Sequence, residues 1–236
     1  MNIASFQKFT LVDYPGKIAA TVFTVGCNFR CPFCHNPELV VGSQVSLHSD
    51  DNIEREFFDF LKQRKGKLEA VCITGGEPTL QPDLIEFMQK IKESGYLVKL
   101  DSNGTRPDII KKALDRGVVD YIAMDIKNTP EKYNKTVGEV GVDLERIRLS
   151  VELLKKGLID YEFRTTVVPG IHTEKDFLEI AEWLAGAKKY FLQEYRDRKI
   201  LNPNLRKKTT GKFLNLDKIK TEIADKISSV EIRKYH

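Results

Sequence analysis

Three cysteines, Cys27, Cys31 and Cys34, follow one another in the pattern Cys-x3-Cys-x2-Cys. Thiolates are the ligands that iron–sulfur clusters use, and a cluster that only carries electrons takes four of them. Three cysteines would leave one iron of a [4Fe–4S] cluster without a protein ligand. Because such an iron can bind a small molecule, the spacing predicts a cluster that does chemistry on a bound ligand.

Two other uses of these thiols are open on spacing alone. Structural zinc takes four ligands, usually in two separated pairs, so His35 beside Cys34 would complete a zinc site only with an awkward geometry. A disulfide is disfavoured because the motif holds an odd number of cysteines and residues 1–9 carry no secretory signal. The spacing favours a three-thiolate cluster over zinc without deciding between them.

The composition is that of an ordinary soluble protein. The 236 residues are 41% hydrophobic and 31% charged, with a net charge of +4, which gives no argument for nucleic-acid binding. No apolar run approaches the ~20 residues of a membrane span, so we expect a cytoplasmic protein without a membrane partner.

The fourth cysteine, Cys72, lies in the apolar run 70–73 and is expected to be a buried structural thiol. The basic stretch 206–212 is expected to be a solvated loop.

The elements that must position the cysteine loop alternate between strands and helices. Two extended runs, 6–12 and 18–25, flank a turn at 13–16 and predict an N-terminal β-hairpin. Apolar β-rich runs predict strands at 68–74, 96–100, 121–126, 161–168 and 190–194, and a short run at 230–233 ends the chain's pattern. Proline starts, polar caps and terminal glycines predict helices at 52–64, 82–95, 107–117, 143–157, 173–186 and 216–227.

Strands that alternate with capped helices predict βαβ units and a parallel sheet. The chain has room for about six such units, whereas a closed (β/α)8 barrel has eight in about 250 residues. We therefore expect an α/β fold, a partial, open (β/α)6-type TIM barrel with an N-terminal β-hairpin extension; a doubly wound sheet is the alternative. No repeat or linker divides the chain, so 1–236 is predicted to be one domain, with the hairpin at 1–25, the cluster loop at 26–36 and a C-terminal extension at 197–236.

Polar residues follow the predicted strands at the end where a parallel α/β sheet places its ligands. Each segment alone could be a turn or a surface pair, but together they would converge on one opening. Glu77, between two glycines and a proline, is suited to accept from an ammonium group, because glycine lets the backbone approach a ligand closely. The candidates at these strand ends are Gly75, Gly76, Glu77, Pro78, Asp101, Ser102, Asn103, Asp125, Lys127, Arg164 and Arg196.

The cysteine loop, with Phe33 before its third cysteine, and the Gly-Gly-Glu-Pro sequence at 75–78 resemble the radical S-adenosylmethionine (SAM) enzymes. Three further segments narrow the resemblance to the activases of glycyl radical enzymes: Val-Asp-Tyr-Pro-Gly-Lys at 12–17, Cys-His-Asn at 34–36, and Asp-Ile-Lys at 125–127. Arg164 ahead of Val-Val-Pro-Gly at 167–170 agrees with them. The chain most resembles the long form of the proteins that activate anaerobic ribonucleoside-triphosphate reductase, and is similar to pyruvate formate-lyase activating enzyme.

The resemblance implies a cluster and a SAM site. Cys27, Cys31 and Cys34 would ligate a [4Fe–4S] cluster, and SAM would chelate the open iron. Phe33 would contact the adenine, residues 75–78 would receive the methionine amino group, and Lys127 would pair with the carboxylate. The remaining implied SAM contacts are Asp101, Ser102, Asn103, Asp125 and Arg196. Arg196 stands where the relatives have a histidine that touches SAM, so this contact departs from the family pattern.

Two further sites are implied by the same resemblance. Asp101 and Asp125 match positions that help to hold a monovalent cation, and Asp13, His35 and Arg164 match positions that meet a substrate peptide. The activity implied is reductive cleavage of SAM, followed by hydrogen abstraction from a glycine of a partner enzyme under anaerobic conditions. A flavodoxin or a ferredoxin-type protein would donate the electron.

Three other functions remain open. The chain could activate pyruvate formate-lyase, or act on a small molecule as 7-carboxy-7-deazaguanine synthase does, or be a metal-binding module without activity. Some activases carry a ferredoxin-like cysteine block before the Gly-Gly-Glu sequence. Residues 36–68 hold no cysteine, so that class is disfavoured.

Overall fold

Eight strands form one sheet in the part of the chain that the computed structural model describes, residues 1–40, 51–196, 199–210 and 213–234. They are β1 (Ile3–Thr10), β2 (Ala19–Thr24), β3 (Ala70–Gly75), β4 (Leu97–Ser102), β5 (Tyr121–Asp125), β6 (Asp160–Val167), β7 (Tyr190–Glu194) and β8 (Val230–Arg233). The strand order across the sheet is the order along the chain. β1 is antiparallel to β2, and every later pair is parallel.

Helices connect most of the parallel strands. They are α1 (Pro37–Val40), α2 (Asp51–Gln63), α3 (Leu84–Glu93), α4 (Pro107–Asp115), α5 (Pro130–Thr136), α6 (Leu144–Lys155), α7 (Glu174–Trp183), α8 (Arg206–Thr209) and α9 (Leu216–Glu222). Short 3-10 turns at Pro78–Leu80 and Pro203–Leu205 precede α3 and α8. Neighbouring helices pack on one another, α3 on α4, α4 on α6 and α7 on α9.

This topology confirms the partial, open barrel. A doubly wound sheet reverses its strand order at a switch point, and the order β1 to β8 has no such reversal. β1 and β8 end the strand order and do not pair with each other in the described residues, so the barrel is open between them. The terminal run 230–233 adds β8 beside β7, which brings the parallel strands to seven.

Local capping explains why the helices begin where they do. Asp143 accepts from the Glu145 N–H at 3.1 Å and starts α6, as predicted. The Thr173 N–H donates to Asp176 at 2.9 Å in the capping box that starts α7. α5 was not predicted, and α9 ends at Glu222 rather than at 227.

The two faces of the sheet differ in chemistry. Side chains alternate along each strand, and those of Ile122 and Met124 in β5 are fully buried in the main hydrophobic cluster, which includes residues of α3, α4, α6 and α7. Tyr121 and Ala123, on the other face, belong to a second cluster with Tyr14 of the hairpin turn. The rings of Tyr14 and Tyr121 are 5.7 Å apart, so the turn covers the amino ends of the strands.

Two expectations concern the surface and the C-terminal region. Among the described residues, no helix is both long enough and apolar enough to cross a membrane. The basic stretch 206–212 is not a plain loop, because Arg206–Thr209 forms the short helix α8. Residues 211 and 212 of that stretch lie outside the described residues.

Candidate active site

A cavity of about 570 Å³ opens at the carboxyl ends of the strands. Every residue predicted for the site lines this cavity except Pro78, which is buried at the start of the Pro78–Leu80 turn. The cavity therefore brings together the cysteine loop, the polar strand ends and the three predicted peptide contacts. The chemical roles of these residues stay predictions.

The three cysteines present their thiols to the cavity as neutral groups. Cys31 is buried, and Cys27 and Cys34 are partly buried; none of them forms a disulfide. Burial raises the pKa of Cys27 to about 11 and that of Cys31 to about 12. The disulfide alternative is therefore excluded in this structure. A metal that binds here must displace protons from thiols.

Side-chain and backbone contacts hold the cysteine loop in place. The Asn28 amide donates to the Thr105 hydroxyl at 2.9 Å and accepts from the Asn103 amide at 2.8 Å. The Arg30 N–H donates to the Val137 carbonyl, at 2.8 Å, just after α5. The loop is thus tied both to the segment after β4 and to the end of α5.

His35 is engaged elsewhere than at the thiols. Its Nε2–H donates to the Arg196 carbonyl at 2.9 Å, and its ring stacks on Tyr195 with centroids 5.9 Å apart. Within the described residues, no three His, Cys, Asp or Glu side chains are arranged to hold a single metal ion. A zinc ion needs all its ligands within about 2.0–2.3 Å, whereas a cluster binds its thiolates at separate iron atoms. Three thiols facing one cavity fit a cluster better than they fit zinc.

The double glycine joins two strand ends. A Cβ on Gly76 would lie 2.0 Å from the Gly26 carbonyl oxygen, and one on Gly75, at φ +119°, would lie 2.3 Å from the Thr24 nitrogen. The Gly76 N–H donates to the Thr24 carbonyl at 2.9 Å, and the Glu77 N–H donates to the Gly26 carbonyl at 2.8 Å. Glycine is therefore required here because two backbones meet directly in front of Cys27.

The Glu77 carboxylate binds protein donors. It is 1% exposed and accepts from the Thr79 N–H (3.1 Å) and hydroxyl (2.5 Å), the Ser102 hydroxyl (2.9 Å) and the Asn103 N–H (2.7 Å). Burial raises the pKa of this carboxyl above its ordinary value. The carboxylate thus holds the loop after β4 against the loop after β3. The sequence analysis predicts a different role for Glu77, which is to accept from an ammonium group of a ligand.

A row of five charged side chains crosses the inner face from β4 to β6, and we call it the charge row: Lys99, Asp101, Asp125, Lys127 and Arg164. Arg164 donates from Nε to Asp125 at 2.5 Å and from Nη2 to Asp101 at 3.0 Å. Lys127 donates to the other Asp125 oxygen at 2.8 Å, and Lys99 donates to the other Asp101 oxygen. Every carboxylate oxygen of the two aspartates therefore accepts from a cationic side chain.

The charges of the row determine its protonation. Burial alone would raise the pKa of Asp125, but the neighbouring charges of Arg164 and Lys127 hold that pKa well below its usual range. Burial would lower the pKa of Lys127, yet Asp125 raises it above its ordinary value. The row is fully ionised at neutral pH, and its three cations and two carboxylates leave one excess positive charge.

Asp13 reaches the same cavity from the opposite end of the sheet. It lies in the hairpin turn and accepts from the Thr21 hydroxyl at 2.6 Å. Arg164 and His35 also line the cavity, although Arg164 directs two donors to aspartates of the chain itself. The three predicted peptide contacts thus share one cavity without touching one another directly in the contacts described.

Two residues of the site escaped the sequence reasoning. Lys99 is 2% exposed, and its position two residues before Asp101 on the same strand is the period-two signal that places both on the inner face. His172, predicted only as a loop residue, is 3% exposed. It accepts from the Val168 N–H at 3.0 Å and donates to the Lys127 carbonyl at 2.8 Å, which fixes the backbone of Lys127.

Comparison with known proteins relates the chain to one superfamily. Residues 21–184 match the family model of the radical SAM superfamily. A putative glycyl-radical enzyme activating enzyme of Methanocaldococcus jannaschii is 33% identical over 211 residues, which cover 87% of this chain and 84% of that protein. The pyruvate formate-lyase-activating enzyme of Listeria monocytogenes is 39% identical over 145 residues, which cover 57% of this chain and 56% of that enzyme.

A solved structure shares the fold at low sequence identity. The crystal structure of Streptococcus suis SuiB bound to precursor peptide SuiA superposes with a TM-score of 0.64 at 13% identity. The superposition covers 90% of this chain and 47% of SuiB. The likeness therefore concerns the arrangement of strands and helices.

Proposed function

The chain belongs to the radical SAM superfamily, and we propose that it is an activase that generates a glycyl radical on a partner enzyme. One observation carries the proposal: the three thiols of the cysteine loop share a cavity with the strand-end residues and with Asp13, His35 and Arg164. The relative in Methanocaldococcus jannaschii, named as an activating enzyme, supports it over 87% of the chain.

Membership in this superfamily implies a [4Fe–4S] cluster and SAM. Cys27, Cys31 and Cys34 would hold the cluster, because three free thiols on one loop are the donor set that leaves one iron open. When bound, the reduced cluster and SAM would supply the chemistry: one electron would cleave SAM to methionine, and the deoxyadenosyl fragment would take a hydrogen atom from a glycine Cα and leave as 5′-deoxyadenosine. The protein supplies orientation and the exclusion of water.

We expect the carboxylate of SAM to lie at the charge row. The row has one excess positive charge, and Lys127, whose side chain is 18% exposed, lines the cavity. One of its three N–H donors goes to Asp125, which leaves donors for a ligand carboxylate. Phe33, buried at the cavity wall, offers an apolar surface to the adenine.

The partner that we propose first is anaerobic ribonucleoside-triphosphate reductase, because the full set of motifs, at 12–17, 34–36, 125–127 and 164–170, most resembles the proteins that activate it. Pyruvate formate-lyase is the second candidate, supported by the 39% identity to the Listeria enzyme over 145 residues. The chain spans only 56% of that enzyme. A flavodoxin or a ferredoxin-type protein as electron donor, and a cytoplasmic location, belong to the same proposal.

Anaerobic turnover tests the proposal against its rivals. The reconstituted chain, SAM and dithionite are incubated with each candidate glycyl radical enzyme, and 5′-deoxyadenosine is measured by chromatography. The expected result is product that depends on the partner and falls to the partner-free level when the target glycine is alanine. If 5′-deoxyadenosine formed only when a small precursor of a deazapurine was added, and no protein partner increased it, the activase function would be rejected.

A further inference from the structure

Each of the four carboxylate oxygens of Asp101 and Asp125 accepts a hydrogen bond from a lysine or arginine side chain. Asp125 accepts from Arg164 Nε on Oδ1 and from Lys127 on Oδ2, at 2.5 and 2.8 Å. Asp101 accepts from Lys99 on Oδ1 and from Arg164 Nη2 on Oδ2, the latter at 3.0 Å. A hard metal cation needs oxygen ligands, and here it would have to share every oxygen of these aspartates with a positively charged nitrogen donor.

Charge also disfavours a metal ion at this place. The five side chains of the row are between 2% and 24% exposed, so water screens their charges only in part. Its three cations and two carboxylates carry a net charge of +1, and a monovalent ion between the aspartates would raise it to +2. Two like charges in a region of low dielectric constant repel strongly. The residues present do not fit a bound monovalent cation.

Arg164 has the geometry of a bridging cation. Its guanidinium is planar, carries its charge at every physiological pH and presents donors in a fixed fork. Here the fork spans two strands, with Nε on Asp125 and Nη2 on Asp101. We propose that Arg164 takes the place of a monovalent metal ion between Asp101 and Asp125, so that the chain carries its site cation covalently and needs no Na⁺ or K⁺ there.

This inference concerns the same site as the proposed function and rests on it only for the comparison with activases that hold such an ion. It also changes the part assigned to Arg164. Two of its donors serve the chain itself, so Arg164 is a positioning residue that holds Asp125, and through Asp125 the ammonium of Lys127, in the cavity. The test of this inference measures stability and ion binding, whereas the test of the proposed function measures product formation with a partner enzyme. Either result can therefore fail while the other succeeds.

The experiment compares cations at equal ionic strength. The cluster-loaded protein is heated anaerobically in choline, sodium or potassium chloride, and unfolding is followed by the fluorescence of Trp183, the single tryptophan. Arg164→Gln removes the guanidinium and frees oxygens of both aspartates. Arg148→Gln is the matched control, because Arg148 is on the surface of α6 and pairs with Glu145.

The wild type and Arg148→Gln are expected to melt at the same temperature in all three salts. Arg164→Gln should melt about 4 °C higher in sodium or potassium than in choline, as expected when an ion binds at tenfold its Kd to a chain of this size. A saturable rise in the melting temperature of the wild type with sodium or potassium would overturn the proposal. A folded Arg164→Gln protein with the same melting temperature in all three salts would overturn it as well. If Arg164→Gln does not fold, the width of the ²³Na NMR line is measured in the presence of the wild-type protein. An unchanged line width supports the proposal. A line that the protein broadens, and that potassium narrows again, rejects the proposal.

Discussion

The thiols of the cysteine loop are neutral before a metal binds. Burial raises the pKa of Cys31 to about 12, so loading with iron must release its proton. Cys31 is therefore the thiol whose loss should matter most, because it is the most buried of the three.

Cys31→Ala should abolish cluster loading, since two thiolates are too few to hold a [4Fe–4S] cluster with one open iron. Iron and sulfide analysis after anaerobic reconstitution, together with 5′-deoxyadenosine release from SAM, measures this. Cys72→Ala is the matched control and should keep the iron and sulfide content of the wild type, because Cys72 lies within β3. If Cys31→Ala still bound a cluster and cleaved SAM, the assignment of Cys31 as a cluster ligand would be wrong.

Glu77→Gln should destabilise the fold by about 1–3 kcal/mol, the usual effect of leaving buried donors unsatisfied. The carboxylate accepts four hydrogen bonds from Thr79, Ser102 and Asn103, and an amide would turn its NH2 group toward some of these donors. Urea unfolding measures the difference. Glu86→Gln, at an exposed position of α3, should have no measurable effect; equal stability of the two variants would show that the clamp is unimportant.

His172 should make stability depend on pH. Burial lowers its pKa below the ordinary value of 6.5, so the unfolded chain binds more protons than the folded chain near that pH. By linkage, its stabilisation is complete above pH about 6.5 and is lost as the pH falls through and below that value. Urea unfolding from pH 5 to pH 7 should therefore show a larger gain in the wild type than in His172→Asn. The same gain in both would assign the pH dependence to other groups.

Residue types and spacing could predict which side chains meet, but not which partner each one takes. All of the predicted site residues except Pro78 line one cavity, because strand ends converge in a parallel sheet. The bond of Arg164 to Asp101 joins two strands, and the bond of Glu77 to Asn103 joins the loops that follow two strands. Such bonds depend on register and side-chain reach, which local spacing does not encode.

The junction between β2, the cysteine loop and β3 depends on close backbone contact. Two hydrogen bonds join Gly76 and Glu77 to the chain just before Cys27. The Asn28 amide and the end of α5 hold the other side of the loop. The position of the cysteines is therefore determined by three separate elements rather than by the loop alone.

Gly76→Ala should shift this junction, because the new Cβ would lie 2.0 Å from the Gly26 carbonyl oxygen. Overpacking of this kind costs about 1–3 kcal/mol, and the displaced loop should bind less iron per chain. Gly117→Ala is the control: its φ of +63° is strained but no atom lies within 4 Å, so it should lose stability without losing iron. Full iron loading of Gly76→Ala would mean that the loop does not depend on the junction.

The elements with strong sequence patterns were predicted well, and the short helix α5 was not. β7 has the predicted bounds, 190–194, and the cap of α6 is the predicted Asp143. α5 has only seven residues, too few for a helical period to show, although Thr129 and Pro130 carry a start signal. Its place in the fold follows from contacts with the cysteine loop that are distant in sequence.

At the level of the molecule, the sheet is an open barrel with a cavity at the carboxyl ends of its strands. The sheet ends at β1 and β8 without closing in the described residues, and the cavity is lined from both the cysteine loop and the hairpin turn. Under the proposed function, a peptide segment of the partner enzyme would have to reach this cavity. The charge row would then act on SAM at the carboxyl ends of the strands.

Electron paramagnetic resonance of the partner enzyme tests the central claim most directly. The cluster-loaded chain, SAM and reductant are mixed anaerobically with the partner, and the spectrum is recorded after freezing. The expected signal is a stable organic radical split into a doublet by the one remaining Cα hydrogen, which collapses when the partner carries deuterated glycine. SAM cleavage without a radical on any glycyl radical enzyme, or a signal unchanged by deuteration, would contradict the proposed function.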